Sequence, residues 1–422
     1  MSPNNFRVLL GVGLTHLRAK PKQTIIAALG VTFGIAMFIV MISFMTGVNE
    51  LLENVMLSVT PHVRLYNDLR PTRLSILHEL EQHEGHLLVV HSLKSKEETK
   101  QLKAGKQVLD KLRQDPRVLG VTPQLQTQLF FISGAQQVNG ALVGVDILEE
   151  DKLFQIGEKM AEGNLEDLLT RNNAILMGSG LAGKLNVALG DNVTGITPQG
   201  TLLQLKVVGI FQTGLQQLDD TRSYASLATA QKALGKDRSF ITDINLKLHN
   251  ANNAKTVMLE YSRRFDCVAM DWETANASAL LSIQIRNIMT TVITITLLVV
   301  AGFGIYNIMN MTIYEKMRDI AILKATGFNG RDVTLIFLFE SIFLGLMGAL
   351  VGIVLGYTLC YLLSLVPFNV KGFINIDTMP VAFHAKHYAF GFVFGLLTTA
   401  LAGYLPARKA ARVDPVLIIR GN

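Results

Sequence analysis

From Thr24 to Thr46 the chain carries no charged residue, and the same holds from Ile288 to Tyr314. A third apolar run, Val333 to Leu365, holds one charge, Glu340. A fourth, Tyr388 to Leu405, is shorter and is followed by Pro406. A spanning helix needs roughly 20 apolar residues, and a buried helix of a soluble enzyme rarely runs this long without charge. The expectation is an α-helical membrane protein with four transmembrane helices: 24–46, 286–314 with a stalk, 333–365, and 388–405 closed by Pro406.

Composition agrees. Charged residues make up 17% of the chain and apolar ones 49%, whereas a soluble globular chain carries about 25% charged residues. The net charge of +6 could point to nucleic acid, but its placement argues for membrane topology and against a nucleic-acid partner. Lys and Arg cluster in three short flanks: Arg7, Arg18, Lys20 and Lys22; Lys316, Arg318, Lys324 and Arg331; Arg408, Lys409, Arg412 and Arg420. The 366–387 loop has only Lys371 and Lys386. Cytoplasmic loops carry the basic excess, so both termini, including the 406–422 tail, and the 315–332 segment are expected in the cytoplasm. Residues 47–285 and the short loop are expected outside. The first apolar run has no cleavage site behind it and reads as a retained signal-anchor. Before it, Phe6, Leu9, Leu10, Gly13, Leu14 and Leu17 follow helical spacing. That suits an amphipathic helix within residues 1–23, lying on the inner surface or on a partner. Cys267 and Cys360 fall in different regions, so no disulfide is expected.

Residues 47–285 read as an α/β domain. Its early part, 67–106, is polar and looks like an excursion. Beyond it, GKQVLDKLRQDP predicts a helix ended by Pro116. LQTQLFFISGAQQVNGALVGVD predicts strands turning at Ser133-Gly134 and Asn139-Gly140. Residues 174–177 and 203–211 are further strands, SLATAQKALG is a helix stopped by Gly235, ITDINLKLHN is a half-buried strand, and ANNAKTVMLEYSRRF is a helix. Two subdomains are expected, one from 107–146 with 236–270, the other from 147–235.

Two segments imitate other chemistry. GSGLAGKL at 178–185 approaches a phosphate-binding loop, but Leu185 stands where a Ser or Thr would hold magnesium. HELEQHEGH at 78–86 places His78 and His83 five apart, not four as a zinc-protease helix requires. His83, His86 and His91 are read as polar surface, and no metal or catalytic residue is expected. Glu340 is read as a structural contact at the base of the spans. Gly345, Gly348, Gly352 and Gly356, with Gly391 and Gly395, form small-residue stripes for close helix contact, within the subunit or across a dimer.

The segment between the second and third spans is the most informative about function. EKMRDIAILKATGFNGRD, residues 315–332, mixes both signs of charge in a short amphipathic helix, breaks at Gly327 and restarts near Arg331. Its pattern E-K-x-R-D-I-A-I-L-K-A-x-G resembles the elbow of the FtsX-like/MacB-type ABC permeases. The resemblance extends over nearly the whole chain: GALVGVD at 140–146, the G-x-G-L-A-x-K-L strand-to-helix turn, VVGIFQTGLQQLDDTRSYASLATAQKALG at 207–235 and the ending LPARKAARVDPVLIIRG. Within that superfamily it is similar to the Lol-type lipoprotein-releasing permeases. The 67–106 stretch departs from the pattern.

The resemblance implies a MacB-type periplasmic core domain on a permease subunit of the bacterial inner membrane, without its own ATPase site. A cytoplasmic ABC ATPase dimer would hold the ATP and magnesium, and a second permease subunit would complete the pair. It would meet the ATPase through Glu315, Lys316, Arg318, Asp319, Ile320, Ile322, Leu323, Lys324 and Gly327. The cargo implied is a lipoprotein passed to a periplasmic carrier. Its lipid anchor would enter sideways past Ile35, Phe38, Ile39 and Ile42 of one span and Leu297, Val300 and Ile305 of another. The rival readings are MacB-type export of peptides or small molecules, and a signalling permease that controls a cell-wall hydrolase.

Overall fold

The structure is a computed structural model that describes residues 21–67, 100–367 and 378–412, with positions 11, 15, 414, 416 and 418. Most of the expected surface helix at 5–19, most of the polar 67–106 stretch and His78, His83, His86 and His91 lie outside the described residues. The main helices in chain order are α1 Pro21–Val59, α2 Gly105–Arg113, α3 Ile147–Phe154, α4 Ser179–Leu185, α5 Leu227–Ala233, α6 Ala254–Phe265, α7 Ala277–Glu315, α8 Met317–Ala325, α9 Gly330–Ser364 and α10 Ala385–Ala411. The strands are β1 Val63–Tyr66, β2 Val118–Ser133, β3 Gln136–Val145, β4 Met160–Gly163, β5 Ala174–Gly178, β6 Asn192–Ile196, β7 Leu202–Phe211, β8 Arg222–Ser226, β9 Asp243–Leu248 and β10 Val268–Asp271. The chain forms two compact units, one of residues up to 52, 281–367 and 378 onward, the other of residues 53–280.

The first unit is a helical bundle built from α1, α7, α9 and α10, which among the described residues are the four helices long and apolar enough to cross a membrane. They run past the apolar stretches read from sequence. α10 does not stop at Pro406 but carries it inside and continues to Ala411. Proline removes one intrahelical hydrogen bond, and here that loss does not end the helix. The glycine stripes make contacts within the chain. A Cβ on Gly348 would lie 2.7 Å from Val31 Cβ, one on Gly352 2.9 Å from Thr32 O, and one on Gly356 3.1 Å from Ile39 Cβ. Thr32 Oγ1 donates to Gly348 O at 3.2 Å. On the other side of α9, Gly345 meets Thr399 of α10. Small residues thus let three helices approach to backbone distance, which is how apolar helices gain contact when lipid offers equal hydrophobicity.

Among the described residues the second unit is a ten-stranded sheet in the order β10-β1-β9-β2-β3-β8-β5-β7-β4, with β6 bridging β2 and β7. The strands β2, β3, β8, β5, β7 and β6 therefore close into a ring around Leu125, Leu129, Phe131, Leu142, Ile175 and Leu205. The 16-residue β2 serves two cores. Its first half pairs with β9 and its second with β3, the change coming at Gln124, which opposes both Asp243 and Val145. Residues 125–145 thus join the ring, not the first subdomain expected from sequence. The other core packs Val63, Leu65, Val108, Leu112, Leu246, Val257 and Trp272 under α2 and α6.

Two local expectations also change. The hairpin turns at Ser133-Gly134, with Gly134 at φ 57°, but Asn139-Gly140 is not a turn. Gly140 lies inside β3, where a Cβ would come within 2.9 Å of both Phe131 and Thr221 O. β9 is buried on both faces, not half-buried. Its even row, Ile244, Leu246 and Leu248, enters the apolar core, while Asp243, Asn245 and Lys247 occupy a polar interior. The 178–185 segment is the strand-to-helix turn from β5 into α4. Lys184 Nζ pairs with Asp220 Oδ2 at 2.9 Å, and Gly180 packs on the same carboxylate.

Candidate functional site

The bundle holds a half-open cleft of about 440 Å³ between α1, α7 and α10, within the range of roughly 300–1,000 Å³ common for ligand sites. Two walls are mostly apolar. α1 supplies Phe38, Ile42 and Met45, and α10 supplies Phe390 and Phe394. The third wall is mixed: α7 presents Asn287, Thr290, Thr291 and Thr294 beside Ile295 and Leu298. Positions 287, 290, 291 and 294 share one helical face. At its end, Asn49 Nδ2 donates to Asn287 Oδ1 at 2.7 Å, joining α1 to α7. Nearby, Ser43 Oγ and Thr46 Oγ1 lie 3.3 and 3.5 Å from the two ring nitrogens of His387.

The structure divides the residues expected along a lipid path. Phe38 and Ile42 line the cleft. Ile35 and Ile39 do not: they are 1% and 0% exposed, set against Gly352, Gly395 and Gly356. Ile305 is likewise buried in the bundle core. Leu297 is half-buried and Val300 is exposed. Residues 35 and 39 lie one turn apart, so they share the face of α1 that meets the glycine seam. Sequence reasoning missed Met45, Phe390, Phe394 and the threonine row. The row had a signal, since polar residues at spacings of three and four stand out in an apolar helix.

The elbow is α8 with its two flanking turns. Gly327, at φ 104°, ends it. The Gly327 amide donates to Lys324 O at 3.2 Å and the Phe328 amide to Leu323 O at 3.1 Å, the paired bonds of a Schellman termination. Asn329 and Asp332 then cap α9 reciprocally. These two signals lie in consecutive residues and set the bend. One face of α8 is exposed: Glu315 just before it, then Arg318, Asp319 and Ile322, the last 50% exposed. The opposite face is used within the chain. Ile320 is 1% exposed and Lys316 is buried. Lys324 Nζ donates to Ala411 O at 3.0 Å, reaching the last turn of α10. Leu323 is half-buried. Ile320 therefore cannot present an apolar contact outward, as the sequence reading had it. Glu340, at 4% exposure, lies inside the bundle on α9.

A MacB-like periplasmic core domain matches residues 24–260 and an FtsX-like permease C-terminal domain matches 291–415. The chain belongs to the FtsX-like/MacB-type permease superfamily. Among its relatives is the lipoprotein-releasing system transmembrane protein LolC of Neisseria meningitidis serogroup B, 26% identical over 97% of this chain and 98% of that one. Another is LolE of Haemophilus influenzae, 25% identical over 96% and 98%. A third, the pyoverdine export ATP-binding/permease protein PvdT of Pseudomonas savastanoi, is 33% identical but covers 43% of this permease and 27% of its own length. In this FtsX-like permease α7 joins the elbow to the cleft: the elbow follows its last residue, Glu315, and the cleft is lined by residues between Asn287 and Leu298.

Proposed function

We propose that this permease releases lipoproteins from the outer leaflet of the bacterial inner membrane to a periplasmic carrier, as one of two permease subunits driven by a separate ABC ATPase pair that holds ATP and magnesium. One observation carries the reading. The cleft offers aromatic and aliphatic walls to acyl chains and a hydroxyl and amide row to the ester and amide groups next to them, in a chain similar over its whole length to LolC and LolE. Phe38 and Ile42 would contact the chains. Apart from Glu340, the apolar runs 24–46, 288–314, 333–365 and 388–405 carry no charged residue, and a path for polar solutes would be expected to use intramembrane charge.

The basic flanks support cytoplasmic termini and elbow, with residues 47–285 outside. Glu315, Arg318, Asp319 and Ile322 then form the exposed face on which the ATPase docks, with Leu323 at its border. Gly327 would set the bend that aims this face. ATP closure moves the elbow and, through α7, the cleft. The partial match to PvdT favours a second reading, export of a small molecule.

The test is depletion of the protein followed by inner-membrane proteomics, with Thr294→Trp as a cleft-filling variant. Lipoproteins should accumulate in the inner membrane on depletion and in the Trp variant alike. Normal lipoprotein sorting together with new drug or peptide sensitivity would replace release with export. Cysteine probes near residues 200 and 325 test orientation: labelling from outside should reach the first and miss the second.

A further inference from the structure

Residues 53–59, the last turns of α1, belong to the α/β unit, and they end against two ammonium groups. Ser58 O accepts from Lys159 Nζ at 3.3 Å and from Lys247 Nζ at 3.3 Å. Lys159 closes the turn after α3 and also donates to Phe154 O at 2.6 Å. Lys247 comes from β9 and lies over the Phe154 ring, 4.8 Å from its centroid. Lys247 is only 9% exposed. Burying a lysine is unfavourable, and placing a second beside it adds repulsion. A helix C-terminus offsets both, because its last carbonyls lack partners and form the negative end of the helix dipole. Other groups take the neighbouring carbonyls: the Thr60 amide donates to Met56 O at 2.9 Å and Ser58 Oγ to Val55 O at 2.8 Å. Ser58 O is met by the lysines.

We propose that Lys159 and Lys247 are positioning residues that fasten the C-terminal turn of α1 to two separate parts of the α/β unit. Lys247 ties it to the β1-β9-β10 sheet. Lys159, next to β4 and so to β7, ties it to the closed ring. A displacement of that turn would move both parts of the sheet together, rather than being lost in the short connection at 60–62. The importance of this for transport rests on the permease reading; the fastening does not.

The polar interior grades the fastening with pH. Lys247 faces Lys159, Glu150 of α3 and His62, whose Nδ1 accepts from the Leu248 amide at 3.0 Å. Glu150 in turn faces Gln124 and Thr122 of β2, and Arg222 with Tyr224 and Asp219 beyond. Burial, then Lys159, brings the Lys247 amine down to about 8, against the pull of Glu150. The charge on Lys247 is therefore complete well below that value and is lost as pH rises through it.

Hydrogen exchange of the full chain in nanodiscs, corrected for intrinsic rates, tests this at the amides of residues 57–60. Lys159→Met with Lys247→Met should speed exchange there about tenfold, with the β5 amides unchanged. Lys159→Arg with Lys247→Arg should restore protection. Wild-type protection should rise from about pH 8 upward, because opening the turn frees Lys247 to take up a proton that the closed turn excludes. Lys247→Arg should abolish that rise, and Glu150→Gln should move its onset to lower pH. Equal exchange in wild type and the Met pair, or equal behaviour of the Met and Arg pairs, would overturn the proposal. If the Met pair fails to fold, the wild-type rise against Lys247→Arg decides, and a rise that persists in Lys247→Arg rejects the fastening. A failure of the lipoprotein reading leaves every one of these readouts unchanged.

Discussion

α7 and α9 are both long and strongly apolar, yet the chain uses them differently. In α9, 39% of the most apolar window is buried inside the chain, against 22% in α7. α9 spends its small residues on contact: Gly348, Gly352 and Gly356 meet α1, and Gly345 meets α10. α7 leaves Ile288, Val292, Val300 and Phe303 exposed and places its threonine row in the cleft. Hydropathy measures transfer into lipid and is satisfied by either arrangement. What separates the two helices is whether a backbone can approach, which depends on side-chain size and not on polarity.

The largest test of that contrast is overpacking. Gly348→Leu drives a side chain into Val31 and Ala28 O, where even a Cβ lies 2.7 and 3.0 Å away. It should lower stability by about 3 kcal/mol or more, seen as loss of the folded monomer in detergent. Phe303→Leu on the open face of α7 should change stability by less than about 0.5 kcal/mol. Equal losses would erase the distinction between a contact helix and an open one.

The elbow repeats the contrast within one turn. Ile320→Ala empties a core position and should cost about 3 kcal/mol. Ile322→Ala, two residues on, should leave stability within about 0.5 kcal/mol. In the docking reading it should instead lower transport-coupled ATP hydrolysis, as should charge reversal at Glu315 with Arg318. A stable Ile322→Ala protein with full coupled activity would remove that face from the interface.

The smallest expected effect sharpens the comparison in the α/β unit, where α3 puts Glu149 outside and Glu150 inside. Burial pushes the Glu150 carboxyl up to about 7 from an ordinary 4.5, against the hydrogen bond that Gln124 Nε2 donates to it. Between those values the folded chain holds a proton that the unfolded chain releases, so stability falls as pH rises through that window. Glu150→Gln should remove that slope, on the order of 3 kcal/mol across it. Denaturant titrations followed by the fluorescence of Trp272, the single tryptophan and 4% exposed, measure it. Glu149→Gln should leave the slope in place.

Much of this was legible in the residues. Long uncharged runs admit few structures, so the four helices followed from composition in a window. The elbow followed from adjacent residues, because a glycine stop and an Asn/Asp cap act over one turn. The glycine stripes told that helices meet closely but not which ones. Only the packed bundle assigns them to α1 and α10 of the same chain, and that assignment moves Ile35 and Ile39 from the expected lipid path into the core. Likewise, alternation in β9 indicated one buried face. The second buried face, with Lys247 directed to Ser58 O, depends on residues 189 positions apart in the chain. Local rules act over a few bonds and can be read along the sequence. Which side chain meets which distant partner is decided by how the helices and sheets close on one another, so the lipid-facing row, the buried row and the two lysines could be told apart only in three dimensions.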